Sequence, residues 1–395
     1  MKPLLLIDFL SGGHHESYLA HLVRYGVAHN QGNLYFLVSR ALYEGVRSEL
    51  SPQEFDFLGS HARLIEDTVE WSYIKKWTKN RFLTQWLYIE YLNLHESKTF
   101  RLLYLFLENV IYPLALSPIP RRNTAGIMFR STFHYKEHRM LAPGAGSRAL
   151  FSIKWIIAYL LAKRSGFDRI FLFDPLALAY AHSHWGSQKF KLIPDPLRTD
   201  SRVRPLNEQS FRAEAQRTFL IAGALHPRKG IHLAVEALAK SCEKTRRNVR
   251  LRFAGLPEVG SKEYVMHNIS RLQSIGIDVE ADLRFMSDCE LTEYIENSDV
   301  VLIPYVGFKG SSNILMHAAQ LGKPVISTND GLLGYLVSRH KLGVAIDPAD
   351  TNSFSQCLNS FVSTGHINGF DPISARSFAD GCSPEEFVKV LTATP

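Results

Sequence analysis

Three short stretches of this 395-residue chain gather small, cationic or hydroxyl-bearing residues in patterns suited to holding an anion. His226-Pro227-Arg228-Lys229-Gly230 sets two cations side by side immediately after an apolar run. Arginine offers a bidentate fork and lysine a point charge, a combination that suits a diphosphate. A solvated basic turn accounts for the same pentapeptide. Tyr305–Asn313 (YVGFKGSSN) brings Gly310, Ser311, Ser312 and Asn313 to the start of a helical pattern. The unbonded amides of a helix start favour phosphate, and Ser311 or Ser312 is equally a capping residue. Gly12-Gly13 lets backbone approach a ligand near the N-terminus, although a tight turn needs the same residues. It is not a GxGxxG motif, so a dinucleotide site is not indicated. His134, in FRSTFHY, and Asp174, in FLFDP, follow strand-like runs and are the ionisable candidates of the first half.

These residues need elements to position them. The chain opens with a strand over Pro3–Leu10, a helix from about Glu16 to His29 with Leu19, Leu22, Val23 and Val27 at helical spacing, and a strand over Asn33–Ser39. Further strands are predicted at Gly126–Arg130, Arg169–Asp174 and Lys191–Pro194, with a helix at Arg148–Lys163. The second half alternates regularly. Strands at Thr218–Ala222, Val249–Ala254, Asp282–Phe285, Val300–Pro304, Pro324–Ser327 and Val344–Ile346 are separated by helices beginning near Ile231, Lys262, Leu291 and Ser312. Such alternation means right-handed crossovers and a parallel sheet covered on both faces. In that architecture ligands bind beyond the carboxyl ends of the strands, where the three anion-suited stretches lie.

Length and composition call for two globular α/β domains, with 46% hydrophobic and 21% charged residues. Domains at 1–197 and 217–395, joined by a polar linker at 198–216, are expected. The four cysteines are scattered, with no CxxC pair and no metal-like spacing, which suits reduced thiols in the cytoplasm. The apolar run Leu4–Ile7 stops at Asp8 and reads as a buried strand, not as a secretory leader. The charge is lopsided. Residues 1–200 carry 24 Lys and Arg against 17 Asp and Glu, whereas residues 201–395 carry 21 of each. An anionic partner for the first domain, such as a membrane surface or a phosphorylated acceptor, fits this excess, as does a merely solvated basic face. No nucleic-acid recognition motif accompanies it.

Residues 68–122 read as a helical insert rich in Trp and Tyr, with Lys75, Lys76, Lys79 and Arg81. Its last part, Arg101–Arg122, has the length of a membrane span, but Glu108, Asn109 and Pro113 speak against one. A packed insert is expected, with an interfacial, membrane-touching segment as the alternative.

The order of motifs from Thr218 to about Phe361 resembles the family-4 glycosyltransferases of the GT-B fold, the glycosyl transferases group 1. The matching pieces are AGALHPRKGIHLAVEAL, LRFAG, SDVVLIPY, GSSNILMHAAQLGKPVIST and LGVAIDPAD, with the opening LSGGHHESYLAHLV similar to that family's first strand and glycine loop. The resemblance implies two Rossmann-like, doubly wound domains facing across a cleft. It further implies transfer of a sugar from a nucleotide-diphosphate sugar, with retention of anomeric configuration and without a metal ion or resident cofactor. The acceptor, a glycan or lipid-linked molecule, would belong to the N-terminal domain and the donor to the C-terminal one. Lys229, with Arg228 beside it, would face the donor diphosphate; Gly13, Gly310, Ser311, Ser312, Asn313 and His317 would line the donor; His134 would stand near the reacting sugar. The chain departs from the family where Glu, seven residues and Glu are usual. Here Lys309 and His317 stand instead, and Ala224 replaces an arginine usual before the lysine. A non-catalytic protein of the same fold, binding a sugar or a partner glycosyltransferase, is the alternative that those departures predict.

Overall fold

The computed structural model describes residues 2–12, 14–135, 145–164, 166–197 and 216–393. Its strands are β1 (Leu4–Asp8), β2 (Leu34–Val38), β3 (Ala62–Leu64), β4 (Arg101–Tyr104), β5 (Thr124–Met128), β6 (Phe167–Leu172) and β7 (Phe190–Leu192), followed by β8 (Arg217–Ala222), β9 (Val249–Ala254), β10 (Asp278–Asp282), β11 (Val300–Ile303), β12 (Val325–Thr328) and β13 (Gly343–Ile346). They form two parallel sheets, in the orders β3-β2-β1-β4-β5-β6-β7 and β10-β9-β8-β11-β12-β13. Both are doubly wound: strands run outward in one direction from the first strand, then return to its other side. The order reverses between β1 and β4 in one sheet and between β8 and β11 in the other. Chains that leave neighbouring strands in opposite directions open a crevice at their carboxyl ends.

The first unit comprises Met1–Pro196 together with Pro384–Pro395, the second Leu197–Ser383. The last helix, Pro384–Thr392, thus belongs with the first sheet, and not with the C-terminal domain to which the sequence pattern assigned it. Phe387, Val388 and Leu391 are buried in the same apolar cluster as Tyr18 and Leu19 of helix His14–Ala28. The expected linker at 198–216 lies outside the described residues except for Gln216, whose side-chain amide donates to Asp278.

Two strands, β3 and β4, were not foreseen, and a third, β10, was misplaced. β4 lies inside the stretch expected to be an insert, and pairs in parallel with β1 from Leu4↔Arg101 to Ile7↔Tyr104 and with β5 on its other side. Leu102, Leu103, Tyr104 and Leu105 are all buried, as strands covered on both faces must be. Residues 68–122 are therefore no insert. They are the crossover helices Val69–Trp77 and Arg81–Leu94, the central strand β4 and the short helix Ile111–Leu116. Among the described residues no helix is long and apolar enough to cross a membrane. At the other sheet, β10 sits four residues earlier than the apolar run suggested. It is an edge strand held by polar pairs, Arg250–Asp278 at 2.8 Å and Arg252–Glu280 at 2.7 Å, so its hydropathy carries no strand signal.

Candidate functional site

In the second unit the two anion-suited loops meet at the reversal point. The loop after β8 passes Gly223 and His226 into a single 3-10 turn, Pro227–Lys229, and then into helix Ile231–Lys240. The loop after β11 runs from Pro304 to Ser312, ahead of helix Asn313–Gln320. They are fastened to each other. The Val306 amide donates to the Arg228 carbonyl at 2.9 Å. Gly230, at φ +66°, comes so close to the Pro304 carbonyl that a β-carbon there would sit 1.8 Å from its oxygen. Only glycine fits.

Lys229 is held in this seam. Its Nζ donates to Tyr305 Oη at 2.5 Å and to the Ala222 carbonyl at 3.4 Å, and lies 4.2 Å from the centre of the Tyr305 ring. The Tyr305 carbonyl in turn accepts from Thr328 Oγ1 at 2.6 Å. An ammonium has three donors, so one remains for an anion. Arg228 is exposed beside it. Ser312 caps helix Asn313–Gln320 by accepting from the Leu315 amide at 3.4 Å, with its own backbone at φ +68°, a conformation that non-glycine residues adopt at a cost. Gly310 and Ser311 are half-buried ahead of the cap, and Asn313 is exposed at the first helical position. His317 lies one turn further in and is 2% exposed, so it is covered in this structure. A carboxyl group stands close by: Asp330 accepts the Gly307 amide, and burial, then the neighbouring Asp347, push its carboxyl above the usual range.

The reversal point of the first unit holds different chemistry. A cavity of ≈ 500 Å³ is lined by Gly12, His15, Phe106, Glu108, Arg130 and Lys154, among others. Asp8 closes strand β1 and is 2% exposed. Its Oδ2 lies 2.7 Å from His15 Nδ1, and its Oδ1 accepts the Leu10 amide at 3.1 Å. Burial raises the Asp8 carboxyl despite that pairing. The His15 ring stacks on Phe106 with centroids 3.7 Å apart. With Nδ1 engaged by a carboxyl group, the tautomer that leaves Nε2 as an acceptor is favoured, the arrangement a general base needs. Glu108, across the same cavity, accepts the Arg130 amide, and its carboxyl too is pushed up by burial.

Sequence reasoning passed over Asp8 and His15, although both flank the glycine pair it singled out. The usable signal was an acid at a strand's carboxyl end followed by a histidine in the first turn of the next helix. Gly13 itself lies outside the described residues. His134 and Asp174, proposed separately, are brought together with His134 Nε2 3.1 Å from Asp174 Oδ2. Asp174 Oδ1 also caps helix Pro175–Trp185, accepting from Leu176 and Ala177. This second pair is shut in: His134 is 0% exposed and is not on the cavity wall, whereas His15 is. Among the described residues no group of three metal-ligating side chains occurs.

Residues 204–368 match the family model of the glycosyl transferases group 1. Several solved structures share the fold along the whole chain. WaaG, a glycosyltransferase involved in lipopolysaccharide biosynthesis, is 15% identical, with 99% of this chain and 100% of that one aligned at a TM-score of 0.59. Anabaena HepE, crystallised with UDP-glucose, is 12% identical over 99% and 98% of the two chains at 0.59. The lipopolysaccharide outer core galactosyltransferase WaaB is 13% identical over 99% and 98% at 0.62. At such identities the likeness is one of fold. No curated protein sequence matches significantly. The chain thus carries a glycosyl transferases group 1 domain at residues 204–368, and its two doubly wound parallel sheets share the GT-B fold of these glycosyltransferases.

Proposed function

We propose that the chain moves a sugar from a nucleotide-diphosphate sugar to a glycan or lipid-linked acceptor, binding the donor at the β8 and β11 loops. The observation that carries this reading is Lys229, oriented by Tyr305 and Ala222 at the reversal point, with Arg228 and the amides of helix Asn313–Gln320 beside it. These groups would offset the charge that develops on a departing diphosphate, the role that a metal ion fills elsewhere. The HepE structures hold UDP, glucose and UDP-glucose, so a uridine donor is the first to try. Asp330 and Asp347 supply carboxyl groups near these loops, where Lys309 and His317 do not.

Retention of configuration is what the family resemblance implies. The Asp8–His15 pair favours a second reading of the stereochemistry. A positioned base that takes the acceptor hydroxyl's proton permits direct displacement, which inverts the anomeric centre. The anomeric proton coupling of the fresh product distinguishes the two.

The test of the donor site is titration of the purified protein with UDP, GDP and their sugars, followed by calorimetry. Binding to one nucleotide series is expected, weakened roughly 10- to 100-fold by Lys229→Ala through loss of one charge-assisted hydrogen bond. Absence of any nucleotide binding by folded native protein would instead favour the non-catalytic alternative. Equal affinity of the variant would remove Lys229 from the site.

A further inference from the structure

Four helices of the first unit leave an apolar surface uncovered. On helix Ala145–Lys163, Leu150, Ile153, Ile156 and Leu160 are between 39% and 52% exposed and recur at helical spacing. Tyr112 and Leu116, one turn apart on helix Ile111–Leu116, are 37% and 46% exposed, and that helix packs on Ala145–Lys163. Phe82, Leu83 and Leu87 of helix Arg81–Leu94 are similarly open, with the Phe82 ring 6.4 Å from Tyr112. Tyr73 and Trp77 of the preceding helix are 60% and 75% exposed. Single exposed apolar residues need no explanation, but a contiguous set of this size on adjoining helices does.

Charge says what covers it. Between Trp71 and Ile89 there is no acidic residue, while Lys75, Lys76, Lys79 and Arg81 are all exposed. Helices Ile111–Leu116 and Ala145–Lys163 contain no acidic residue either, and Lys154 is exposed on the second. The two acids on the other helices are both engaged: Glu70 accepts a hydrogen bond from Tyr91, and Glu90 is buried and paired with Arg121 at 2.7 Å. Apolar side chains flanked by cations, with Trp and Tyr among them and the few carboxylates tied up in hydrogen bonds, match the boundary between acyl chains and anionic headgroups. A protein partner would not require an exposed face without free carboxylates across four elements.

We propose that this face is a membrane-docking surface, seated on an anionic lipid bilayer through Leu150, Ile153, Tyr112 and Phe82 and ringed by Lys75, Lys76, Lys79 and Arg81. No element spans the bilayer in this arrangement; the helices lie along it. Tyr112 and Lys154 also line the cavity beside His15, so the surface and the cavity are continuous. The inference stands apart from sugar transfer, because its test needs no nucleotide.

The test is flotation of the full chain with vesicles of pure phosphatidylcholine and with vesicles that also contain phosphatidylglycerol. Native protein should float with the anionic vesicles. Serine at all four cationic positions, Lys75, Lys76, Lys79 and Arg81, should lower partitioning on the order of 100- to 1,000-fold. Leu150→Gln with Ile153→Gln should lower it roughly tenfold or more while leaving the thermal transition in place, since both residues are exposed. Failure of native protein to float would overturn the proposal. So would loss with the charge variant alone, which means adsorption without seating of the apolar face. A dimer that vesicles leave intact, and that Leu150→Gln with Ile153→Gln dissociates, would assign the face to a second copy instead.

Discussion

Alanine at Gly230 is the sharpest probe of the seam that positions Lys229, because Gly307 supplies a matched control. Both glycines are left-handed, at φ +66° and φ +61°, and both lie in the two loops of the proposed donor site. A β-carbon at Gly307 meets no heavy atom within 4 Å, whereas at Gly230 it would lie 1.8 Å from the Pro304 oxygen and 2.8 Å from its carbon. Gly307→Ala should thus cost only the backbone term, about 1–2 kcal/mol. Gly230→Ala adds the displacement of a main-chain carbonyl, an overpacking cost of about 1–3 kcal/mol, for a total of about 2–5 kcal/mol. With a urea slope of about 3 kcal/mol/M, the unfolding midpoint falls by roughly 0.3–0.7 M for the control and 0.7–1.7 M for Gly230→Ala. The loops must also part, stretching the Val306-to-Arg228 hydrogen bond, so nucleotide affinity should drop for Gly230→Ala and hold for Gly307→Ala. Equal midpoint shifts in the two variants would refute the claim that the loops are locked together at this point.

The Asp8–His15 pair predicts opposite effects on activity and stability. Asp8→Asn should lower kcat roughly 100-fold or more by loosening the His15 tautomer, with little change in donor KM. Because burial raises the Asp8 carboxyl, its stabilising contribution is present below the ordinary carboxylate range and is lost as pH rises through the raised value. The variant's unfolding midpoint should therefore gain on native as pH rises from about 4 to about 8, and a constant difference would contradict this. The cysteines should react in a fixed order: Cys242 is exposed and its thiol is pulled down by the Thr245 hydroxyl 3.3 Å away, while burial pushes Cys357 up to about 11. Iodoacetamide mapping near neutral pH should label Cys242 first, and early labelling of Cys357 would show that its cover is not as closed as described.

The second sheet was the more legible of the two, and the reason lies in its segments. Val249–Ala254 and Lys262–Ser274 form the elements that their spacing predicts, because each is bounded by residues that stop it. In the first sheet β4 was hidden by its neighbours. Arg101–Tyr104 runs straight into Leu105, Leu107 and Val110, all buried, so strand, turn and helix merge into one largely apolar run, broken before Pro113 only by Glu108 and Asn109. Hydropathy cannot separate a strand buried on both faces from a longer apolar helix. The last helix was assigned to the wrong unit for another reason: Phe387, Val388 and Leu391 show that a face is buried, but not against what. At the sites, cations and glycines were readable as residue types, whereas the Asp8–His15 pair depends on a distance that appears only once β1 and the following helix are formed.

The two sheets reverse at the same place but present different groups there, and in the proposed transfer that difference divides the chemistry. The β8 and β11 loops offer a cation and amide donors, groups that stabilise negative charge. The β1 and β4 loops offer acceptors instead, a carboxyl-held imidazole and the Glu108 carboxyl in an aromatic cavity, groups that take a proton or bind a hydroxyl. Lys229 is already hydrogen-bonded twice without a ligand, and His15 is already held by Asp8 and stacked on Phe106. Each group therefore loses little freedom when substrate arrives, since folding has oriented it beforehand. Loosening either restraint, at Tyr305 or at Asp8, should for that reason be felt in the rate more than in substrate affinity.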